Sequence, residues 1–443
     1  MPLSSWVAAF GLRLSPVNEG LSSTHHERWM LRVLAAIQFT NIVDFMVMMP
    51  LGPQLTALFA ISDAQFGLLV SAYTFASAGS GLLAAGFVNR FERRRSLLVV
   101  YAGFALGTLA CALAPSYTAL LVARAVAGAF GGVLSAQVQT VVADAVPYAR
   151  RGSAMGTVMG GFALATIAGV PGALWLAQRW DWHAPFFAIA IVALPIAIAA
   201  ARMVPRLDEH LRAPRSSLLG TLRKVLADAN HLRAMTLMAC TLGASFFVLP
   251  YLTIYLATNA GVALADVPLI YLAGGIATFV TSRLWGRLAD RIGKVPVYRV
   301  VVVGAACALL AVTHWPAWPL AATLMLTTAV FVFVSGRLVP GMAIVQQAAQ
   351  PALRGTFLSL SGAVQSGSMG AASFLGGLLI GRDGAGQLTG YGWNGWAAVA
   401  LSAVCVVLVG RVVVRGSAAV ATAPSASASP SALPSPSPST EPR

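Results

Sequence analysis

The sequence predicts an all-α membrane protein with twelve transmembrane helices arranged as two pseudo-symmetric six-helix bundles. Three observations predict it. Of 443 residues, 58% are hydrophobic and only 10% charged, where a soluble protein carries about 25% charged residues. Apolar runs of about 20 residues, enough for a helix to cross a bilayer, recur along the whole chain. Landmarks of the first half return in the second at a nearly constant offset.

The runs fall at 30–51, 65–88, 96–114, 117–142, 153–177, 184–203, 234–257, 265–285, 297–314, 317–347, 356–381 and 393–413. Helix is the expected form, because a backbone in lipid has to satisfy its own hydrogen bonds. Stretches such as "LPIAIAAARM" and "AVCVVLVG" lack the strict alternation of barrel strands. The organisation that follows is a lead at 1–29, a bundle at 30–203, a central loop at 204–233, a bundle at 234–414 and a tail at 415–443. The tail, rich in Ser, Pro and Ala, reads as disordered. The short apolar patch near the N-terminus does not read as a cleavable signal.

The formal net charge is +15. Placement argues against nucleic acid as the partner. Of 29 Lys and Arg, Arg124 and Arg337 fall inside spans, and Arg179 and Arg382 fall in the loops after spans 5 and 11. The other 25 lie in the tails, in the remaining basic loops or at the helix ends beside them, all on one side of the membrane. The positive-inside rule makes that side cytoplasmic, with both termini there. Cys111, Cys240, Cys307 and Cys405 all fall within spans without metal-ligand spacing, so they read as small apolar residues and no metal site is expected.

The repeat is explicit. "NRFERRR" at 89–95 returns as "DRIGKVP" at 290–296, "RRGSAMG" at 150–156 as "LRGTFLS" at 353–359, and the "MP" ending at Pro50 as the "LP" ending at Pro250. Duplicated six-helix units are a common transporter design, with the substrate site between the repeats.

"GRLADRIGK" at 286–294 then resembles, almost completely, the loop motif G-x-L-A-D-R-x-G-R/K of the major facilitator superfamily. With the twelve spans and the basic central loop, the resemblance covers Met30 to about Val414 and is closest in look to the drug:proton antiporter and arabinose-efflux-like branch. It implies the major facilitator fold, transport by alternating access, and a cytoplasmic gate at Gly286, Asp290, Arg291, Gly293 and Lys294. The glycines suit close helix approach and a tight turn. Asp290 suits a helix cap or a pair with a neighbouring Arg. The first-half copy, "AGFVNRFERRR", departs from the pattern: Ala85 replaces Gly, Asn89 replaces Asp and Glu92 replaces Gly. Asn89, Arg90 and Glu92 are the corresponding gate residues, with Glu92 as a substitute carboxylate.

Of 14 acidic residues, only Asp44 lies within a span. It is 12 residues past Arg32, or about 18 Å along a helix, so it sits deep in the bilayer. Insertion scales put the penalty for such an Asp at about 2.5–3.5 kcal/mol, which points to function. Its repeat position is Ala244, so the fold alone does not require it. Gln38 and Asn41 precede it at three-residue steps and form one polar stripe with it, a candidate cavity wall. The alternative is a hydrogen-bonding Asp that stabilises the break before Pro50.

Arg124 opens "RAVAGAFGG" and resembles the family's R-x-x-x-G element, whose arginine is associated with proton coupling. It lies in the same outer half as Asp44; the alternative is snorkelling to the surface. Arg337 is not its repeat equivalent. It is either a cavity cation for an anionic group or a holder of helix-end carbonyls. In span 5, Gly169, Pro171 and Gly172 resemble the family's Gly/Pro antiporter motif, suited to close packing and a kink.

The expected function is secondary active transport, with proton-coupled efflux of a small molecule favoured over uptake of an anionic metabolite or a sensor role on the same scaffold. No enzyme activity, cofactor or nucleotide motor is expected: the chain has no G-x-x-x-x-G-K-[ST] loop. The expected partners are a small-molecule substrate, protons and the inner-membrane bilayer, with the chain acting as a monomer.

Overall fold

The computed structural model describes residues 17–87, 90–147, 150–208, 218–350 and 353–413. Asn89 and the 415–443 tail lie outside them. Helices occupy all twelve stretches expected to span: α1 (Val17–Val47) with the short α2 (Gly52–Leu58), α3 (Asp63–Phe87), α4 (Arg93–Ala112), α5 (Tyr117–Ala145), α6 (Arg151–Leu164) continued by α7 (Val170–Arg179), and α8 (Ala184–Met203). The second set is α10 (Ala229–Thr258), α11 (Val267–Ile292), α12 (Lys294–Thr313), α13 (Leu320–Gly336) continued by α14 (Leu338–Ala348), α15 (Arg354–Leu378) and α16 (Tyr391–Val409). Between the sets, α9 (Leu218–Ala227) is a helix in a region expected to be loop. α1 also begins well before residue 30: its polar first turns are helix-compatible, and Glu27 is fixed there by Arg150 at 2.9 Å.

Side chains satisfy the free backbone amides at the starts of several helices. Ser116 accepts from the Ala119 amide, and Asp228 accepts from Asn230 and His231. Proline occupies the first turn of α2, α8 and α11, where its missing N–H costs nothing. A small hairpin joins the last two spans, β1 (Gly381–Arg382) pairing antiparallel with β2 (Leu388–Thr389).

Eleven of the described spans are apolar enough to cross a membrane by composition alone. The exception is α15, whose polarity has a packing cause. It runs along α3 of the other half, where small residues let the backbones meet. Ser71 Oγ donates to the Gly370 carbonyl at 2.7 Å, Ser373 Oγ to the Gly67 carbonyl at 3.3 Å, and Ser77 and Ser366 meet at 3.5 Å.

These contacts also give the protein its conformation. The face holding the start of α1 and the central link is called here the basic face. Going from the opposite face inward, the two halves are joined at Asp63–Arg382, Phe66–Tyr251, Gly52–Ile254, Gly67–Ser373, Phe45–Phe246 and finally Ser77–Ser366. Nearer the basic face, Gly79, Gly81, Gly152, Gly156, Gly160, Gly355 and Gly362 have open space where a Cβ would stand. The contacts that join the halves thus concentrate toward the opposite face, and we read the molecule as closed there and open toward the basic one.

Candidate functional site: a buried ion pair below the closed face

α1 and α5 bring Asp44 and Arg124 together. Both are fully buried, and Arg124 Nη1 donates to Asp44 Oδ2 at 2.9 Å and to the Asp44 carbonyl at 3.2 Å. The second carboxylate oxygen accepts from Thr108 Oγ1 of α4 at 3.1 Å. α1 ends three residues later, so a carbonyl near the helix end is available to the guanidinium. The pair therefore binds three helices at one point, and the site carries one charge of each sign. Arg124 does not snorkel; its charge is met inside.

Tyr73 of α3 covers the pair, with its ring 4.5 Å from the guanidinium carbon. Its hydroxyl donates to Asn41 Oδ1 at 2.9 Å, and Asn41 Nδ2 donates to Ser135 Oγ at 3.0 Å and the Gly131 carbonyl at 3.3 Å. Gln38 Nε2 reaches the same Ser135 at 3.3 Å. Gln38, Asn41, Ser135 and Tyr73 thus form one hydrogen-bonded cluster on the basic-face side of the ion pair, which Tyr73 meets with its ring. Gln38 Oε1 is buried without an acceptor role filled.

The glycines after Arg124 make this possible. A Cβ on Gly128 would stand 2.2 Å from the Tyr73 carbonyl, and one on Gly131 would stand 2.1 Å from the Tyr73 hydroxyl. Residues 124, 128 and 131 share one face of α5, so the R-x-x-x-G spacing presents the arginine and then removes side chains where α3 must approach.

The span-5 motif behaves differently at each residue. Pro171 lacks an N–H, and the turn before it widens into a π-turn at Ala165–Gly169 rather than a sharp kink. Gly169 is tightly packed: a Cβ would meet Val43 at 2.3 Å. Gly172 has nothing within 4 Å, so the close packing expected there is not present. The π-turn is where α11 crosses, with Gly275 against the Thr166 carbonyl.

At the basic face, the second-half motif makes its turn as expected: Gly293 has φ +98° and separates α11 from α12. Asp290 requires correction. It lies in the last turn of α11, exposed, so it caps no helix start, and it makes no ion pair among the described residues. Gly286 is only in loose contact with Val339, and Arg291 and Lys294 are at the surface or half-buried. In this conformation the motif is disengaged. In the first half, Arg90 is exposed, whereas Glu92 caps α4, accepting from the amides of Arg94, Arg95 and Leu207 at 2.9, 3.0 and 3.2 Å. Partial burial works against its ionisation, but those amides outweigh it and hold the Glu92 carboxyl below its ordinary range. Beside it, Arg93 pairs with Asp144 at 2.9 Å.

Sequence reasoning missed the seal at the closed face. Asp63, at the start of α3, accepts two bonds from Arg382 of the hairpin, at 2.9 and 3.0 Å. The Tyr251 hydroxyl donates to the Ser373 carbonyl beside it. Arg337 lies in the break between α13 and α14, fully buried, with Nη2 donating to Ser245 Oγ of α10 at 2.5 Å. Its described hydrogen bond goes to a hydroxyl, so the expected role of holding helix-end carbonyls is not what the geometry has.

Comparison with known proteins agrees with this architecture. The family model described as Major Facilitator Superfamily matches residues 34–373. An uncharacterised MFS-type transporter of Bacillus subtilis, YceJ, is 25% identical over 80% of this chain and 90% of its own length. A chloramphenicol resistance protein of Streptomyces lividans is 27% identical over 65% of this chain and 71% of its own. Among solved structures, the nucleoside transporter NupG matches with a TM-score of 0.68 at 12% identity, covering 87% of this chain and 98% of that one. A bacterial homologue of the human lysosomal transporter Spinster, solved inward-facing, matches at 0.59 and 16% identity, covering 88% and 95%. The chain is a multi-pass membrane transporter and belongs to the Major Facilitator Superfamily.

Proposed function

We propose that the protein exports a small molecule in exchange for protons, with Asp44 as the exchanging carboxyl and Arg124 as the cation that reports its charge. The observation that carries this is the fully buried, hydrogen-bonded Asp44–Arg124 pair at a position where the repeat has alanine. A proton on Asp44 cancels its hold on Arg124; loss of the proton restores it. A group whose charge changes in only one of two conformations gives a proton gradient a grip on their equilibrium. Gln38, Asn41, Ser135 and Tyr73 supply the polar route between this carboxyl and the open cavity, and Gln38 and Asn41 are the polar part of the substrate-cavity wall. In this reading the basic face is cytoplasmic with both termini inside the cell, and the protein works as a monomer in the inner membrane.

The disengaged Asp290 loop fits a latch that closes only when the cavity turns outward. Similarity to a chloramphenicol resistance protein supports efflux as the direction and makes chloramphenicol a first substrate to try.

Inside-out vesicles with an acid lumen test the reading, using chloramphenicol, cationic dyes, sugars and organic anions as a panel. The expected result is accumulation of a panel member that collapses with the pH gradient. In Asp44→Asn vesicles the same compound equilibrates without being concentrated. Wild-type accumulation ratios in that variant would sink the mechanism.

A further inference from the structure

The second half holds a cation that no carboxylate among the described residues answers. Arg337 has no exposed surface, and its Nε and Nη1 have no hydrogen-bond partner among the described residues. Among the described residues its one hydrogen-bond partner is the Ser245 hydroxyl. Among the described residues, the ionisable side chains close enough to act on it are Tyr298 and Cys405, and neither is an acid of the carboxylate kind. Two hydroxyls of the surrounding core are already committed: Thr241 Oγ1 lies 2.7 Å from the Leu237 carbonyl and 2.5 Å from the Tyr298 hydroxyl. The Trp285 indole, whose Nε1 is likewise buried without an acceptor, packs against Gly336, the residue before Arg337.

An arginine cannot shed its proton in a protein, so its charge persists in this apolar core. A buried charge of this kind is normally neutralised by a partner that accepts its hydrogen bonds. Among the described residues the unpartnered Nε and Nη1 lie on different edges of the guanidinium, each beside the Nη2 that serves Ser245.

We propose that Arg337 and Ser245 form a binding site for a small inorganic monovalent anion of the halide or nitrate class, a resident counter-ion in the core of the second bundle. Enclosure by α10, α12, α14 and α16 selects for size: Arg337 has no exposed surface through which a bulky organic anion could reach it. The site is distinct from the Asp44–Arg124 pair, and the inference stands or falls on binding, independently of the transport direction.

The test uses the full chain in detergent, exchanged into sodium gluconate. Its thermal unfolding midpoint is followed as chloride, bromide or nitrate replaces gluconate at constant ionic strength, with acetate as a parallel arm. A ligand that binds only the folded state raises the midpoint saturably. The expected result is such a rise with chloride, bromide and nitrate but not acetate. Arg337→Gln should abolish it, and Ser245→Ala should weaken the apparent affinity by about tenfold, the worth of one charge-assisted hydrogen bond. Should Arg337→Gln fail to fold, Ser245→Ala decides. A wild-type midpoint indifferent to the anion, a rise produced by acetate alone, or an unchanged chloride affinity in both variants would each overturn the proposal.

Discussion

Arg124 and Arg337 are both fully buried arginines in the membrane interior, one in each half of a duplicated fold, yet their surroundings differ. Arg124 meets a carboxylate and a backbone carbonyl and lies under an aromatic ring. Arg337 meets one serine. The difference teaches how the repeat has been divided. In the first half the negative partner is built in, so changing its charge requires a proton. In the second half no carboxylate among the described residues forms an ion pair with the arginine. Duplication supplied the same helices twice, and each half then placed its buried cation at a position of its own, Arg124 corresponding to Thr327 and Arg337 to Leu134.

Removing each cation breaks the comparison most strongly. Arg124→Met leaves a buried carboxylate with only Thr108 to answer it, and breaking a buried pair in this way costs about 3–5 kcal/mol. Arg337→Met leaves only an uncharged hydroxyl. Thermal unfolding in gluconate should therefore show a large loss for the first variant and a small loss or a gain for the second. Equal losses would mean that the two arginines are stabilised alike.

A second test bears on why the first-half pair is so well enclosed. Gly128→Val forces α3 and its Tyr73 away from Arg124, an overpacking worth about 1–3 kcal/mol. Gly172→Ala, in open space, should fall within about 0.5 kcal/mol of wild type. The unfolding midpoints of the two variants check whether the glycines act through Tyr73 or through general helix flexibility.

The smallest effect concerns the seal above both sites. Asp63→Asn weakens the bond to Arg382, and a partly exposed pair is worth about 1 kcal/mol at most. That is enough to shift a conformational equilibrium by about fivefold. A cysteine placed at Ser71, buried between the halves, should then react several-fold faster with a membrane-impermeant maleimide added from the closed face. An unchanged rate would mean that the apolar contacts alone hold the seal.

Much of this was legible in the sequence, and the boundary is physical. Asp44 and Arg124 stand out because a charge in an apolar span has a cost that only a role repays. Tyr73, Thr108 and Ser135 carry no such mark, since single hydroxyls are common in membrane helices and spacing along one helix does not say which helix lies opposite. The Asp63–Arg382 seal joins residues 319 apart, each unremarkable near a helix end. α15 was expected among the apolar spans, yet it is the most polar of the twelve because it faces a helix rather than lipid. Which face is open has no sequence signal at all, because one sequence encodes both conformations. The Asp290 cap failed for a local reason: α11 continues two residues further and Gly293 makes the turn.

The central claim is that the charge on Asp44 biases which face is open. It can be measured without knowing the substrate. Spin labels at Leu83 and Leu358, on the basic-face ends of α3 and α15, report the width of the opening by pulsed electron resonance in a background free of native cysteines. As the pH is stepped from acid to alkaline, the wild-type distance distribution should shift between a wide and a narrow population. In Asp44→Asn it should stay fixed at one ratio throughout. A variant that keeps the wild-type pH response would contradict the account and leave Asp44 as a packing residue.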